Sequence, residues 1–230
     1  MRTSRDREAL AQLGLPGVLP FFDAVARPQE DYELGIAVGR GTLVSYNPRT
    51  RQGDFRQRVL HALRQVQLPT DPVEQVFASL GPNDCSTVLG LEWMDDGVQA
   101  TVYVEELERF LPHPLDWLRQ HAGPVPASSG SPYILAVDLP SGAWKVYFLH
   151  HQAPGLVQHP LESPGAAAWI EQRRVSTGTL KLYRCFDYRN GQPPDVPVHV
   201  PVLPWDDVRV TSVGQRFGDE GGETVYMSVR

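Results

Sequence analysis

The sequence predicts an α+β fold in which five antiparallel hairpins form a closed ten-stranded β-barrel with helices outside. Three observations support this fold: turn signals that recur along the chain, a Thr/Lys-x-Tyr pattern repeated in four strands, and amphipathic helices between hairpins. Proline and glycine are numerous, at 21 and 20 residues, which is typical of a chain with many turns and short strands.

Five pairs of predicted strands follow one another along the chain. Each pair is joined by a Gly- or Pro-containing turn, such as Gly39-Arg40-Gly41 in the first hairpin and Pro140-Ser141-Gly142 in the third. The pairs are 32–38 with 42–46, 86–93 with 98–105, 133–139 with 143–149, 180–188 with 196–202, and 208–213 with 224–230.

Helices are predicted before and between these hairpins. The segment 54–66 places its apolar residues at helical spacing, and Asp71 followed by Pro72 is a good start for a helix over 71–80. Further helices are expected at 4–25 with a turn at 15–17, at 107–121 with an interruption near two prolines, and at 164–174.

Composition restricts the class of protein. The chain has 41% hydrophobic and 21% charged residues, which fits a globular protein and excludes collagen-like or disordered chains. No apolar run approaches the roughly 18 residues of a membrane span, and a net charge of −6 argues against a nucleic-acid partner. We expect one domain over 1–230, with a helical segment at 1–30 and five hairpin-helix repeats at 31–230. Cys85 and Cys185 lack metal-ligand spacing, and we expect buried thiols in a cytoplasmic protein.

A short pattern repeats in four of the predicted strands. Each copy has Thr or Lys, then an aliphatic residue, then Tyr, and the copies begin at Thr101, Lys145, Lys181 and Thr224. The chain has two lysines in all, and both stand in this pattern. Because side chains alternate with period two along a strand, the first and third residues of each copy share one face, and aliphatic residues occupy the other.

The aliphatic face is expected to pack on the helices, which leaves two arrangements for the Thr/Lys/Tyr face. In an open sheet that face meets solvent. In a closed barrel it lines a central cavity, and ten strands suffice to enclose a ligand. The repetition of the pattern favours the barrel, in which the tyrosines would face the lumen: Tyr103, Tyr147, Tyr183 and Tyr226.

Five hairpins separated by helices, with Lys-x-Tyr on inward strands, resemble the ABBA-type or PT-barrel aromatic prenyltransferases. The chain would be a short and divergent member of that family. The resemblance implies transfer of a dimethylallyl or longer prenyl group from its diphosphate to an electron-rich aromatic small molecule or peptide, as in secondary metabolism. It implies no specific cofactor and leaves a need for Mg²⁺ open.

The resemblance also implies roles for particular residues. Lys145 and Lys181, with Arg184 or Arg40, would hold the diphosphate, and the four tyrosines would shield the allylic cation. Glu92 and Asp138 occupy similar strand positions and are the candidate acceptor bases. A two-residue turn at Ser141-Gly142 would set Asp138 opposite Lys145, where an ordinary cross-strand ion pair is the alternative.

Two other functions use the same residues. A non-catalytic barrel could bind a hydrophobic or aromatic small molecule, since Thr101 and Thr224 stand where further cations would be expected. A protein-interaction domain would be built on an open sheet, with the tyrosines exposed.

Overall fold

The computed structural model describes residues 2–39, 41–49, 54–80, 86–95, 97–111, 113–121, 123–125, 127–151, 166–175, 180–186, 203–216 and 222–229. The strands, in chain order, are β1 (Tyr32–Val38), β2 (Thr42–Pro48), β3 (Ser86–Met94), β4 (Gly97–Glu105), β5 (Ser131–Leu139), β6 (Ala143–His150), β7 (Ala166–Arg174), β8 (Leu180–Phe186), β9 (Val208–Arg216) and β10 (Gly222–Val229). The helices are α1 (Arg2–Gln12), α2 (Val18–Val25), α3 (Phe55–Gln65), α4 (Asp71–Leu80), α5 (Leu107–Phe110) and α6 (Pro114–His121). None of these helices combines the length and the apolar character needed to cross a bilayer.

The ten strands form a closed antiparallel barrel. Each strand pairs with the next one in the chain, and β1 also pairs with β10, where Leu34 lies opposite Val229 and Val38 opposite Val225. Closure confirms the predicted barrel and rules out the open sheet. In each of the five hairpins, the first strand ends and the second strand begins at the same end of the barrel, here called the hairpin end. The opposite end is called the far end.

The outer face of the barrel is aliphatic and packs against the helices. Val102 and Phe148 from the strands belong to the same buried cluster as Val59 and Leu63 of α3 and Phe77 of α4. Burial of one such side chain contributes roughly 1.5–3 kcal/mol, so this layer supplies most of the stabilisation of the barrel wall. The inner face carries a separate, smaller cluster that is rich in tyrosine.

A buried polar network fixes the helices to the first two strands. The guanidinium of Arg58 on α3 donates to Glu30 through two nitrogens, at 2.6 and 2.9 Å, and also to the carbonyl oxygen of Val25. The hydroxyl of Tyr46 on β2 donates to the same carboxylate at 2.6 Å. The side chains of Glu30 and Arg58 are 0% and 4% exposed, so this ion pair is removed from water.

The fourth hairpin differs from the prediction. Residues 166–174 form strand β7, not a helix, and pair with β6 and β8. The Ala-rich sequence favours a helix locally, but hydrogen bonding to strands on both sides overrides that preference. The predicted strand 196–202 lies outside the described residues. Helix 71–80 is confirmed, and so is the interruption between α5 and α6.

Candidate active site in the barrel lumen

Four tyrosines form part of the wall of a cavity of about 240 Å³ inside the barrel. They are Tyr103, Tyr147, Tyr183 and Tyr226, the residues at which the sequence pattern ends. Ring centroids of successive tyrosines are 6.1, 6.0 and 5.3 Å apart, so the rings form a continuous aromatic surface. Burial raises the pKa of Tyr103, Tyr147 and Tyr183 well above 10, so these phenols stay neutral at ordinary pH.

Lys181 contacts the tyrosine wall directly. Its Nζ donates to Thr224 Oγ1 at 3.0 Å and to the Tyr226 hydroxyl at 3.2 Å. The same nitrogen lies 5.0 Å from the ring centroid of Tyr183 and 5.2 Å from that of Tyr226, within the range of cation–π attraction. The threonine of the fourth pattern copy therefore supports the lysine of the third.

Lys145 belongs to a second cationic group on the hairpin side of the tyrosines. Its Nζ lies 2.6 Å from Asp138 Oδ1, and Arg174 Nη2 donates to Asp138 Oδ2 at 3.1 Å. Thr101 Oγ1 also donates to Asp138 Oδ1, at 2.8 Å. Arg174 is not among the predicted site residues, because its sequence context predicts a helix over 164–174. In β7 it lies opposite Lys145 in the strand ladder.

The contact between Asp138 and Lys145 is confirmed, but the predicted register is wrong. Asp138 lies opposite Ala143, and Lys145 opposite Ala136. Four residues separate Asp138 from its ladder partner instead of the six that the predicted pairing implies, and Gly142 N–H donates to the Asp138 carbonyl oxygen at 2.8 Å. A shift of two residues keeps every side chain on its predicted face, so the ion pair forms diagonally.

The remaining predicted site residues lie elsewhere. Arg184 shares the outer face of β8 with Leu182, and its guanidinium lies 3.6 Å from Glu223. This placement separates Arg184 from the lumen cations. Glu92 is half-buried on β3, opposite Leu43 and Gln99, on the face that Gly90 turns toward the lumen. Its charge contributes to the raised pKa of Tyr103, but Glu92 is not among the described residues that line the cavity. Arg40 lies outside the described residues.

A carboxyl group that sequence analysis did not select lies at the far end of the cavity. Glu105 lines the cavity at the end of β4, and burial raises the pKa of its carboxyl from 4.5 to about 7. A hydrogen bond from Ser86 Oγ, at 3.3 Å, offsets only part of that effect. Glu33 also lines this end and is ion-paired with Arg49 at 2.6 Å. The lumen is therefore cationic toward the hairpin end and carboxylate-lined at the far end.

Gly214 on β9 lies beneath two of these side chains. A Cβ atom there would come within 2.7 Å of Lys181 Cε and 2.8 Å of Tyr183 Cε1. The absence of a side chain thus lets Lys181 and Tyr183 lie across the backbone of the neighbouring strand. Gly90 also faces the tyrosines, but a Cβ there would meet Tyr103 at an ordinary 3.4 Å.

Within the described residues, no three His, Cys, Asp or Glu side chains are grouped closely enough to hold a metal ion. A requirement for Mg²⁺ stays a prediction that these residues do not test.

No protein-family model and no curated protein matches the sequence. Solved structures do match over nearly the whole chain. A 6-dimethylallyl tryptophan synthase has a TM-score of 0.63 at 14% identity and covers 98% of this chain and 96% of its own. The 5-dimethylallyltryptophan synthase of Streptomyces coelicolor has a TM-score of 0.61 at 13% identity. The match covers 99% of this chain and 97% of that chain.

A third similar structure is the prenyltransferase PriB, in a ternary complex with L-tryptophan and dimethylallyl thiolodiphosphate. Its TM-score is 0.59 at 13% identity, with 99% of this chain and 94% of that chain covered. The fold of this chain is therefore the ten-stranded PT barrel of the aromatic prenyltransferases, in a divergent sequence.

Proposed function

We propose that the protein transfers a prenyl group, of which dimethylallyl is the best fit, from its diphosphate to an aromatic acceptor in the barrel lumen. The observation that carries the proposal is the continuous tyrosine surface with cations on one side and a carboxyl group of raised pKa on the other. The likeness of the fold to prenyltransferases supports it.

The cations would stabilise the leaving group. When the C–O bond of the donor breaks, negative charge builds up on the diphosphate, and Lys145, Lys181 and Arg174 can bind that charge. Because Lys181 contacts the Tyr226 hydroxyl, a diphosphate at the lysine adjoins the cavity wall. Preorganised donors of this kind contribute about 2–4 kcal/mol each to transition-state stabilisation.

The tyrosine rings would surround the allylic cation that remains. Their π faces attract positive charge by about 0.5–2 kcal/mol each, and the closed wall keeps water from trapping the cation. Since the cavity of about 240 Å³ is below the usual range for ligand pockets, we expect the short dimethylallyl donor to be used better than longer ones.

Glu105 would take the proton that the acceptor loses. Attack by the electron-rich ring on the cation forms the new C–C bond, and loss of a proton from the acceptor restores aromaticity. A carboxyl group with a pKa of about 7 is half deprotonated near neutral pH, where a general base works best.

The proposal is tested by incubating the protein with dimethylallyl diphosphate and, in turn, tryptophan, other indoles, tyrosine and simple phenols. Mass spectrometry should detect an acceptor enlarged by one prenyl unit, together with release of diphosphate. A parallel series with geranyl diphosphate should give less product. Absence of product with every acceptor, together with no calorimetric binding of inorganic pyrophosphate, would contradict the proposal.

Replacing Glu105 by Gln is expected to change the pH dependence of both activity and stability. Wild-type kcat/KM should rise with pH through an inflection near 7, and E105Q should lose that inflection along with most activity. The pKa of the carboxyl is higher in the folded than in the unfolded state. Deprotonation therefore lowers the free energy of unfolding as pH rises from about 4.5 to about 7.

E105Q lacks this penalty and should be more stable than wild type at pH 8, by up to about 3 kcal/mol, and similar to it near pH 4. Urea denaturation at both pH values measures the difference, with replacement of the exposed Glu108 by Gln as a control. Equal stability of E105Q and wild type at pH 8 would show that the carboxyl is not desolvated.

Replacing Gly214 by Ala is expected to lower kcat/KM by about tenfold to a hundredfold, because the added methyl group displaces Lys181 and Tyr183. Replacing Gly90 by Ala, which makes only ordinary contacts, is the matched control and should have a much smaller effect. Steady-state kinetics of both variants makes the comparison. Equal losses would mean that the position of Lys181 and Tyr183 is not critical.

One observation favours the alternative of a non-catalytic binding barrel: Asp138 already neutralises one of the two lysines. Under that alternative a small aromatic molecule would bind in the cavity without prenyl transfer. Retention of ligand affinity in a variant with both Lys145 and Lys181 replaced by Ala would support it.

A further inference from the structure

We propose that Asp138 is a built-in counter-anion, which competes with diphosphate for Lys145 and Arg174 and thereby promotes release of the diphosphate product. This inference rests on the proposed function. It assigns Asp138 the role of a positioning residue that acts through the two cations, distinct from its predicted role as acceptor base.

Both oxygens of the Asp138 carboxylate are engaged by polar side chains. Oδ1 lies 2.6 Å from Lys145 Nζ and accepts from Thr101 Oγ1 at 2.8 Å, and Oδ2 accepts from Arg174 Nη2 at 3.1 Å. The side chains of Asp138 and Lys145 are 9% and 17% exposed, so their contact is little weakened by water. The Arg174 side chain is 39% exposed, so its contact with Asp138 is partly screened. One carboxylate on β5 thus holds donors from β4, β6 and β7.

The charges explain why such a group is needed. Lys145 and Arg174 lie opposite each other on neighbouring strands, where two cations repel one another. Asp138 balances that repulsion and holds both donors in fixed positions. When diphosphate binds, it must share the two cations with an anion that is already present, and its affinity is reduced accordingly.

Reduced affinity matters most after the chemical step. Diphosphate is then a free, highly charged product beside three cations, and product release limits the turnover of many enzymes. A fixed carboxylate that reoccupies Lys145 and Arg174 lowers the affinity of the product, while Lys181 contributes to holding the donor.

Calorimetric titration with inorganic pyrophosphate tests the inference. D138N keeps the size of the side chain and removes its charge, and we expect about tenfold tighter binding or more. D138T, which matches the threonines at other lumen positions, should also bind more tightly and serves if D138N does not fold. The control is E92Q. This variant also removes a carboxylate from the lumen face, but on β3, and it should change the affinity for pyrophosphate less than twofold.

Replacing Lys145 in both the wild-type and the D138N background tests whether Asp138 acts through that lysine. Replacing Lys145 by Ala should weaken pyrophosphate binding more in the D138N background than in wild type, because the lysine is no longer shared. Pyrophosphate should also inhibit prenyl transfer by D138N at about tenfold lower concentration than it inhibits the wild type.

The outcomes separate this inference from the proposed function. If wild type binds pyrophosphate, Lys145→Ala weakens that binding, and D138N binds no more tightly, then the counter-anion role is wrong and the proposed function stands. If D138N and E92Q tighten pyrophosphate binding equally, the effect comes from the net charge of the lumen. The counter-anion role of Asp138 is then also wrong. If neither wild type nor any variant binds pyrophosphate, the counter-anion role is wrong, and the proposed function is wrong as well if no acceptor is prenylated.

Discussion

Replacing Lys145 and Lys181 together by alanine is expected to lower kcat/KM for prenyl transfer by about a thousandfold or more. Under the proposed function, each amine would stabilise the departing diphosphate by about 2–4 kcal/mol, and each 1.4 kcal/mol corresponds to about tenfold in rate. Lys181 also lies beside the rings of Tyr183 and Tyr226, so its loss changes the cation-binding wall as well as the anion site.

Steady-state kinetics with dimethylallyl diphosphate, together with calorimetric binding of pyrophosphate, measures the effect. R119A is the matched control, because it also removes a positive charge but from the solvent-exposed side of α6. Binding of pyrophosphate should be lost in the double variant and unchanged in R119A. A double variant that keeps kcat/KM within tenfold of wild type would place the diphosphate somewhere other than at these lysines.

Replacing Glu30 by Ala is expected to lower the free energy of unfolding by about 3–5 kcal/mol. The substitution leaves the Arg58 guanidinium buried without the carboxylate that accepts two of its hydrogen bonds. It also removes the acceptor of the Tyr46 hydroxyl. Because the network joins α3 to α2, to β2 and to the segment before β1, we expect its loss to weaken the packing of the helices on the barrel.

Urea denaturation measures this loss. R64A breaks an exposed ion pair with Glu74 and should cost less than about 1 kcal/mol, which shows the contribution of burial. A double variant with Glu30 replaced by Gln and Arg58 by Met should recover much of the stability, because no buried charge remains. If E30A is no less stable than R64A, the buried pair does not hold the helices in place.

Much of this architecture could be predicted because the alternation of side chains along strands is a local property. The pattern that contains Lys145 and Tyr147 already separated an aliphatic face from a polar one, and closure of the barrel turned that polar face into a lumen. The repetition of the pattern in four strands was the signal that distinguished a lumen from a solvent-exposed face.

Strand β7 could not be predicted, because its Ala, Glu, Gln and Arg residues favour a helix when considered alone. Its neighbours β6 and β8 impose the strand through hydrogen bonds that connect residues distant in sequence. Because a helix was predicted for this segment, Arg174 was not recognised as a lumen cation. Its place beside Lys145 follows only from the strand. A period-two test of 166–174 would place Ile170, Gln172 and Arg174 on one face.

Glu105 was missed for a different reason. Its face was predicted correctly, since it follows Tyr103 by two residues on β4. Its raised pKa, however, comes from burial against side chains of other strands, and a single strand carries no signal of that. The strand alternation therefore places Glu105 on the lumen face but gives no information about its pKa.

Buried phenols that keep their protons would have a chemical consequence under the proposed function, in which an allylic cation forms in the lumen. A phenolate oxygen is a strong nucleophile and would be alkylated by an allylic electrophile within a few ångströms. The raised pKa of Tyr103, Tyr147 and Tyr183 would suppress that side reaction and so would protect the tyrosine wall from alkylation.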